Sequence, residues 1–98
     1  MAFKIIWSAE AEKDFKTIVL FLKENWSVQS SEKFASIIYA KIEKLAEMPS
    51  IARPTSQHKI FIYKLDRKNV LFFSFNGNHL ILLSIYPYKK DIRKSKYY

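Results

Sequence analysis

Cysteine is missing from all 98 residues. That removes disulfides, thiolate metal sites and cysteine nucleophiles. Glycine occurs once, as Gly77. A P-loop or a dinucleotide-binding fingerprint needs several glycines so that backbone can approach phosphate, and neither fits here. The two histidines, His58 and His79, stand far apart with no carboxylate cluster beside them, so metal-ligand spacing is absent. Beyond residue 50 the only acids are Asp66 and Asp91, both in charged turn or tail contexts. A serine–histidine–acid triad has too few parts. No apolar run approaches the roughly 18–20 residues of a membrane-spanning helix. The longest are Val70–Phe75, interrupted by Ser74, and Leu80–Tyr86. Met1 to Glu10 lacks the apolar core and small-residue cleavage site of a signal peptide. The expectation is a soluble, cytoplasmic chain with no metal, no cofactor and no membrane partner.

What is present is apolar and aromatic. Hydrophobic residues make up 49% of the chain and aromatics 16%, too many for disorder and enough for one domain with one core over residues 1–98. Charge is divided unevenly. Residues 1–50 hold seven lysines and seven acids, whereas residues 51–98 hold ten Lys or Arg and two acids, so the whole net charge of +8 belongs to the second half. Such asymmetry points to a polyanionic or acidic partner for that half.

Phe3–Trp7 is β-branched and apolar enough for a short strand. Ser8 is placed to cap a helix whose first turns carry Glu10, Glu12 and Asp14 against the positive end of its dipole. Ala11, Phe15, Ile18 and Leu22 then form one helical face, with an end near Asn25. Ser27, Ser30 or Ser31 begins a second helix with Ala35, Ile38, Ile42 and Leu45 on one face and Phe34 and Ile37 widening it. Pro49 closes it. So short a link makes the two helices an antiparallel hairpin.

Ser50–Lys59 reads as irregular. Three β-prone runs follow, Ile60–Leu65, Val70–Phe75 and Leu80–Tyr86. Asn76-Gly77-Asn78 between the last two is a hairpin signal of the type I′ kind. Whether that loop has two or three residues decides which side of the sheet every later side chain faces. Pro87 ends the last run, and Tyr88–Tyr98 is a basic tail. The pattern is α+β, in the order β-α-α-β-β-β: an antiparallel sheet with the helical hairpin packed on one face. The first strand joins at an edge or beside the last strand.

An opening strand followed by Trp7-Ser8, then Ala11 and Asp14 in an acid-capped helix, resembles the start of the RelE/ParE toxins of bacterial type II toxin–antitoxin systems. The second helix ending in Leu45–Pro49, the Arg53-Pro54 segment, and a meander closing on Tyr86-Pro87-Tyr88-Lys89-Lys90-Asp91 extend the likeness over roughly residues 3–92. The resemblance implies a plasmid-stabilisation type of toxin, neutralised by a cognate antitoxin that wraps around it in a hetero-oligomer. One branch of the family cleaves ribosome-bound mRNA without metal; the other poisons DNA gyrase. The nuclease branch implies an arginine near the start of the second meander strand and another late in the third. Those positions hold Val70 and Ser84 here. The likeness therefore leans to the ParE side, a toxin that binds its target, with the endoribonuclease, a nucleic-acid-binding module or an inactive relative as alternatives.

Candidate target- or nucleic-acid-binding residues are Lys59, Lys64, Arg67, Tyr88, Lys89, Lys90 and Arg93. If the chain is a nuclease, Lys64, Arg67 and Tyr86 are its charge stabilisers and acid–base groups. Arg53 either meets an acid of the antitoxin or closes the second helix. Each has a plainer reading: Lys64 as a charge that blunts a strand edge, Arg67 as an ordinary turn residue, Tyr86 as a cover for the sheet edge, and Lys89–Lys96 as a solvated terminus.

Overall fold

The structure, a computed structural model, describes residues 3–98. A strand, β1 (Lys4–Trp7), leads into two helices, α1 (Ala9–Asn25) and α2 (Val28–Glu47). A 3-10 turn at Pro49–Ile51 follows, then strands β2 (Arg53–Pro54), β3 (Ile60–Lys64), β4 (Asn69–Asn76) and β5 (His79–Pro87), and a last 3-10 turn at Ile92–Lys94. The helices start at side-chain caps. Ser8 accepts from the Ala11 amide and Ser27 from the Ser30 amide. Ile38, Ile42 and Leu45 of α2 are buried with Ala11 of α1, as their spacing requires, whereas Ile37 is exposed.

The strand order is β1-β5-β4-β3-β2. The β3–β4 and β4–β5 pairings are antiparallel as expected, β2–β3 adds a third, and β1 lies parallel to β5 at the edge. Parallel neighbours need a long connection, and everything from α1 to β4 intervenes here. The other edge is β2, two residues in a stretch expected to be irregular. Pro54 has no amide hydrogen to leave unpaired, which suits it to that position. The hairpin between β4 and β5 has a two-residue loop, since Asn76 pairs with His79. Gly77 alone takes positive φ, at +60°, so the turn follows the II′ pattern with glycine first rather than the expected I′.

With register settled, the faces can be assigned. Leu71, Phe73 and Phe75 of β4 and Leu80, Leu82 and Ile85 of β5 join the core beneath the helices. Leu82 and Ile85 are three residues apart, a spacing that puts regular strand residues on opposite faces. A bulge resolves this: Phe72 pairs with Ser84 and Phe73 with Leu82, leaving Leu83 as the extra residue. The start of α1 is bonded to β5 at this point. The Ser8 hydroxyl donates to the Leu83 carbonyl at 3.1 Å, and the Ser8 amide donates to Leu82 at 3.0 Å. Asp14 Oδ2 accepts from the Ile85 amide at 3.0 Å and from the buried Ser84 hydroxyl at 3.1 Å.

The second face of the sheet is also covered. Ile62, Val70 and Phe72 are buried there, packed against Ile92, Tyr97 and Tyr98 from the chain's end. What reads in the sequence as a basic tail is a folded strap.

Asp14→Ala would leave the Ile85 amide and the Ser84 hydroxyl unpaired at a buried bulge. Each such loss costs about 1–3 kcal/mol. The expected result is a urea midpoint lowered by the equivalent of about 2–4 kcal/mol with an unchanged slope.

Candidate functional site

The β3–β4 turn gathers charge at one end of the sheet. Asp66 Oδ1 accepts from the Lys68 and Asn69 amides, both at 2.8 Å, which folds the turn and leaves Arg67 and Lys68 exposed. The Tyr88 amide donates to the Lys68 carbonyl, so the root of the strap is joined to this turn. Lys64 closes β3 beside them, its Nζ 4.7 Å from the centre of the Tyr88 ring. Lys89 and Lys90 follow in an exposed turn. Lys64, Arg67, Lys68, Lys89 and Lys90 thus share one end of the molecule. The only two acids of this half are engaged elsewhere: Asp66 with amides, and Asp91 with Arg93.

Several candidates lie apart from this cluster. Arg93 makes a two-pronged pair with Asp91, Nε to Oδ1 and Nη2 to Oδ2 both at 3.0 Å, which keeps the carboxyl of Asp91 low and raises the guanidinium further. Its charge is answered on the spot. Lys59, exposed and at φ 64°, precedes β3 at the opposite end from Lys64. Five strand steps separate them, about 17 Å. Arg53 is exposed in β2 and does not close α2, whose last cap is the Met48 amide on the Lys44 carbonyl. Tyr86 is half-buried on the second face, its ring edge-on to Phe72 with centroids 6.0 Å apart. Val70 separates it from Lys64 along one cross-strand row.

The strap itself was not legible as a structure. Tyr97 donates its hydroxyl to Glu10 Oε1 at 2.8 Å, and Lys96 Nζ sits 2.9 Å from the same oxygen. Gln57 and Ser56 donate to the carbonyls of Lys96 and Tyr98. Glu10 reads in the sequence as a dipole-capping acid, and nothing there pairs it with residues 86 and 87 positions away. A further feature lies at the other side of α1: a groove of about 240 Å³ lined by Trp7, Glu12, Phe15, Lys16 and Tyr39. Its Trp7, Phe15 and Tyr39 rings lie within 6.1 Å of one another, centre to centre.

This fold has relatives. A family profile described as the ParE toxin of the type II toxin–antitoxin system parDE matches residues 5–92. The chain belongs to the ParE toxin family. No curated protein matches this ParE-family chain by sequence. Among solved structures, a chain of the chromosomal ParDE toxin–antitoxin system of Pseudomonas aeruginosa superposes with TM-score 0.77 at 17% identity, covering 88% of this chain and 96% of that one. A chain of the toxin–antitoxin complex RelBE2 of Mycobacterium tuberculosis gives 0.62 at 10% identity over 87% and 96%. The YoeB dimer of Staphylococcus aureus gives 0.60 at 13% identity over 86% and 94%. Among the described residues no helix is long and apolar enough to cross a membrane.

The sequence comparison with the nuclease branch turns on Val70 and Ser84. Both are buried, Val70 at 1% exposure beneath the strap and Ser84 at 4% against Asp14. These are the two positions where the nuclease branch implies arginines, and a guanidinium at either would displace packed groups here.

The strap clasp has a defined pH range. Lys96, with Tyr97, holds the Glu10 carboxyl below its ordinary 4.5, while Glu10 raises Lys96, and partial burial, with Glu10, raises Tyr97. A lowered acid adds stability above its ordinary value and loses it as pH falls through the folded value; raised bases and phenols lose theirs as pH rises through the folded value. Tyr97 ring signals in NMR should hold steady between about pH 5 and 9 and move below about pH 4. A shift centred near neutrality would contradict the clasp.

Proposed function

We propose that this ParE-family chain acts by binding and blocking a target, in the manner of the gyrase-directed branch, and that a cognate antitoxin neutralises it. The observation that carries this reading is the pairing of an exposed cluster of five cations with buried, uncharged residues at positions 70 and 84. Cations joined to a rigid turn give electrostatic attraction and orientation to an acidic surface. A nuclease needs in addition groups converging on one phosphate. Lys64 and Tyr86 flank Val70 in one cross-strand row of the second face, but the residue between them is apolar and buried, and Arg67 projects from a turn.

The antitoxin reading is supported by the aromatic groove beside β1, where Trp7, Phe15 and Tyr39 offer large apolar area with Glu12 and Lys16 at the rim. Arg53 lies on the opposite edge of the sheet, four strand gaps or about 19 Å away across the ladder. An antitoxin segment that used both would have to pass around the molecule. The acidic contact expected of Arg53 therefore goes with a wrapping partner.

Induced expression in a bacterial host should arrest growth, with DNA-damage signalling and intact mRNA, and coexpression of the neighbouring reading frame should relieve the arrest. Charge reversal at Lys64, Arg67 and Lys68 together should abolish arrest. It should leave folding within about 0.5 kcal/mol per substitution of the parent, since all three are on the surface. Codon-spaced mRNA cleavage on translating ribosomes would overturn the binding reading in favour of the endoribonuclease. Absence of arrest, with duplex DNA binding that falls steeply in salt, would favour a nucleic-acid-binding module.

A further inference from the structure

We infer that the sheet face beneath the strap is a docking surface in its own right, with residues 88–98 as its resident occupant. It accepts from outside an extended segment of the same aromatic and basic chemistry. The first ground is how the strap is held. Among the described residues its backbone bonds beyond the root are internal: Lys94 to Asp91, Ser95 to Ile92 and Tyr98 to Ser95. Two bonds at the root, Tyr88 to Lys68 and Lys90 to Pro87, join its backbone to the backbone of the rest of the chain. The strap adds no strand to the ladder. It can therefore leave as a unit, beyond Tyr88, without orphaning any sheet amide.

The second ground is what holds it instead. The fixed groups are Ile62 and Phe72, apolar and buried, the Glu10 carboxylate, and the Ser56 and Gln57 side chains. None of these is part of the strap, and all stay in place when it lifts. Together they make a site with an apolar floor, one carboxylate at its margin and two donors aimed at a carbonyl chain. That set describes its ligand. Glu10 receives a phenol hydroxyl at 2.8 Å and an ammonium at 2.9 Å from adjacent residues, Tyr97 and Lys96. Ile92 and Tyr98 fill the floor. A segment with an aliphatic residue, then a lysine followed by two aromatics, satisfies every fixed group. An acidic segment does not, because Glu10 repels it.

The third ground is the cost of leaving the floor bare. Phe72 and Val70 are at 0% and 1% exposure, so opening without a replacement would put a contiguous apolar patch in water. Replacement by an equivalent segment avoids that. The resident occupant has the advantage of tethering, an effective concentration in the millimolar range for a short link. An outside segment therefore competes poorly until the resident is loosened. This inference stands independently of the toxin reading.

The probe is a fluorescent synthetic peptide of residues 88–98, titrated with the full-length chain and read by anisotropy. The Tyr97→Ala chain, its own strap loosened, should bind the peptide at least tenfold more tightly than the parent chain, and adding Glu10→Gln should reverse most of that gain. Equal binding by folded parent and Tyr97→Ala chains would overturn the inference, as would equal binding of a peptide matched in charge but without aromatics. If Tyr97→Ala does not fold, the Lys96→Ala chain loosens the strap through an exposed group of its own while leaving the site intact, and a gain of about threefold is expected. No gain there also overturns it. In the parent chain, amide exchange at Lys94, Ser95 and Tyr98 should run at least a hundredfold faster than in β4; exchange only through global unfolding would refute a strap that lifts.

Discussion

A single irregularity in β5 sets the geometry of everything around it. The extra residue Leu83 shifts the phase of the strand, so that Leu82 and Ile85 both enter the core and Tyr86 turns to the other face. Such a bulge leaves backbone groups without ladder partners, and inside a protein that is affordable only if something else meets them. Ser8 and Asp14 do so from one helix start. The Ser8 hydroxyl works in both directions, accepting from Ala11 as the helix cap and donating to Leu83. The entry of α1 is thus fastened to the sheet by the same atoms that begin the helix. Remove the bulge, and Ile85 would face away from the helices while Asp14 would lose its partners.

This arrangement explains why some of the fold could be read from residues and some could not. The helices follow from apolar spacings of three and four closed by Ser8 and Ser27, which are local signals. The hairpin at Gly77 is local too, although Asn78 stays at negative φ and the turn type differs accordingly. The bulge has no local signature. Leu80–Tyr86 is apolar on nearly every residue, so alternation cannot show a phase shift, and only the pairing with β4 reveals it. Asp14 could be counted as a favourable charge near a helix start, a role many acids fill, while its actual partners lie 70 and 71 residues away. The same holds for Glu10 and the strap. A tail rich in lysine resembles a solvated terminus by composition, yet Ile92, Tyr97 and Tyr98 are enough to dock it once Ile62, Val70 and Phe72 present an apolar face. Charge alone groups Arg93 and Lys59 with the other cations, and register and ion pairing separate them.

The uneven charge of the chain acquires a structural sense here. The first half is neutral overall, but two of its acids, Glu10 and Asp14, are spent on the second half: one clasps Lys96 and the other holds the bulge. Of the acids within the second half, Asp91 answers Arg93 and Asp66 shapes the turn. Among the described residues none of Lys64, Arg67, Lys68, Lys89 and Lys90 makes an ion pair. Their shared end is the consequence of a network that consumes acids for structure and leaves cations for recognition. That is a stronger basis for a binding surface than net charge, which says nothing about where charge is already matched.

The same network bears on how binding and architecture are separated in this chain. Lys64 stacks on Tyr88, and Tyr88 is the residue where the strap leaves the turn. A surface that attracts an acidic partner and a strap that covers an apolar face therefore share a hinge. The polar ties of the strap beyond that hinge are mostly exposed side-chain contacts, and exposed ion pairs contribute little, typically within about 1 kcal/mol. Its attachment rests chiefly on the burial of Ile92, Tyr97 and Tyr98, each side chain worth at most about 1.5–3 kcal/mol when fully covered. The bulge and helix entry, by contrast, are held by buried bonds to backbone. The molecule thus divides into a frame whose loss means unfolding and a strap whose movement need not disturb it. The cation cluster stands on the frame, because Asp66 and the β3–β4 pairing fix its turn whether the strap is seated or not.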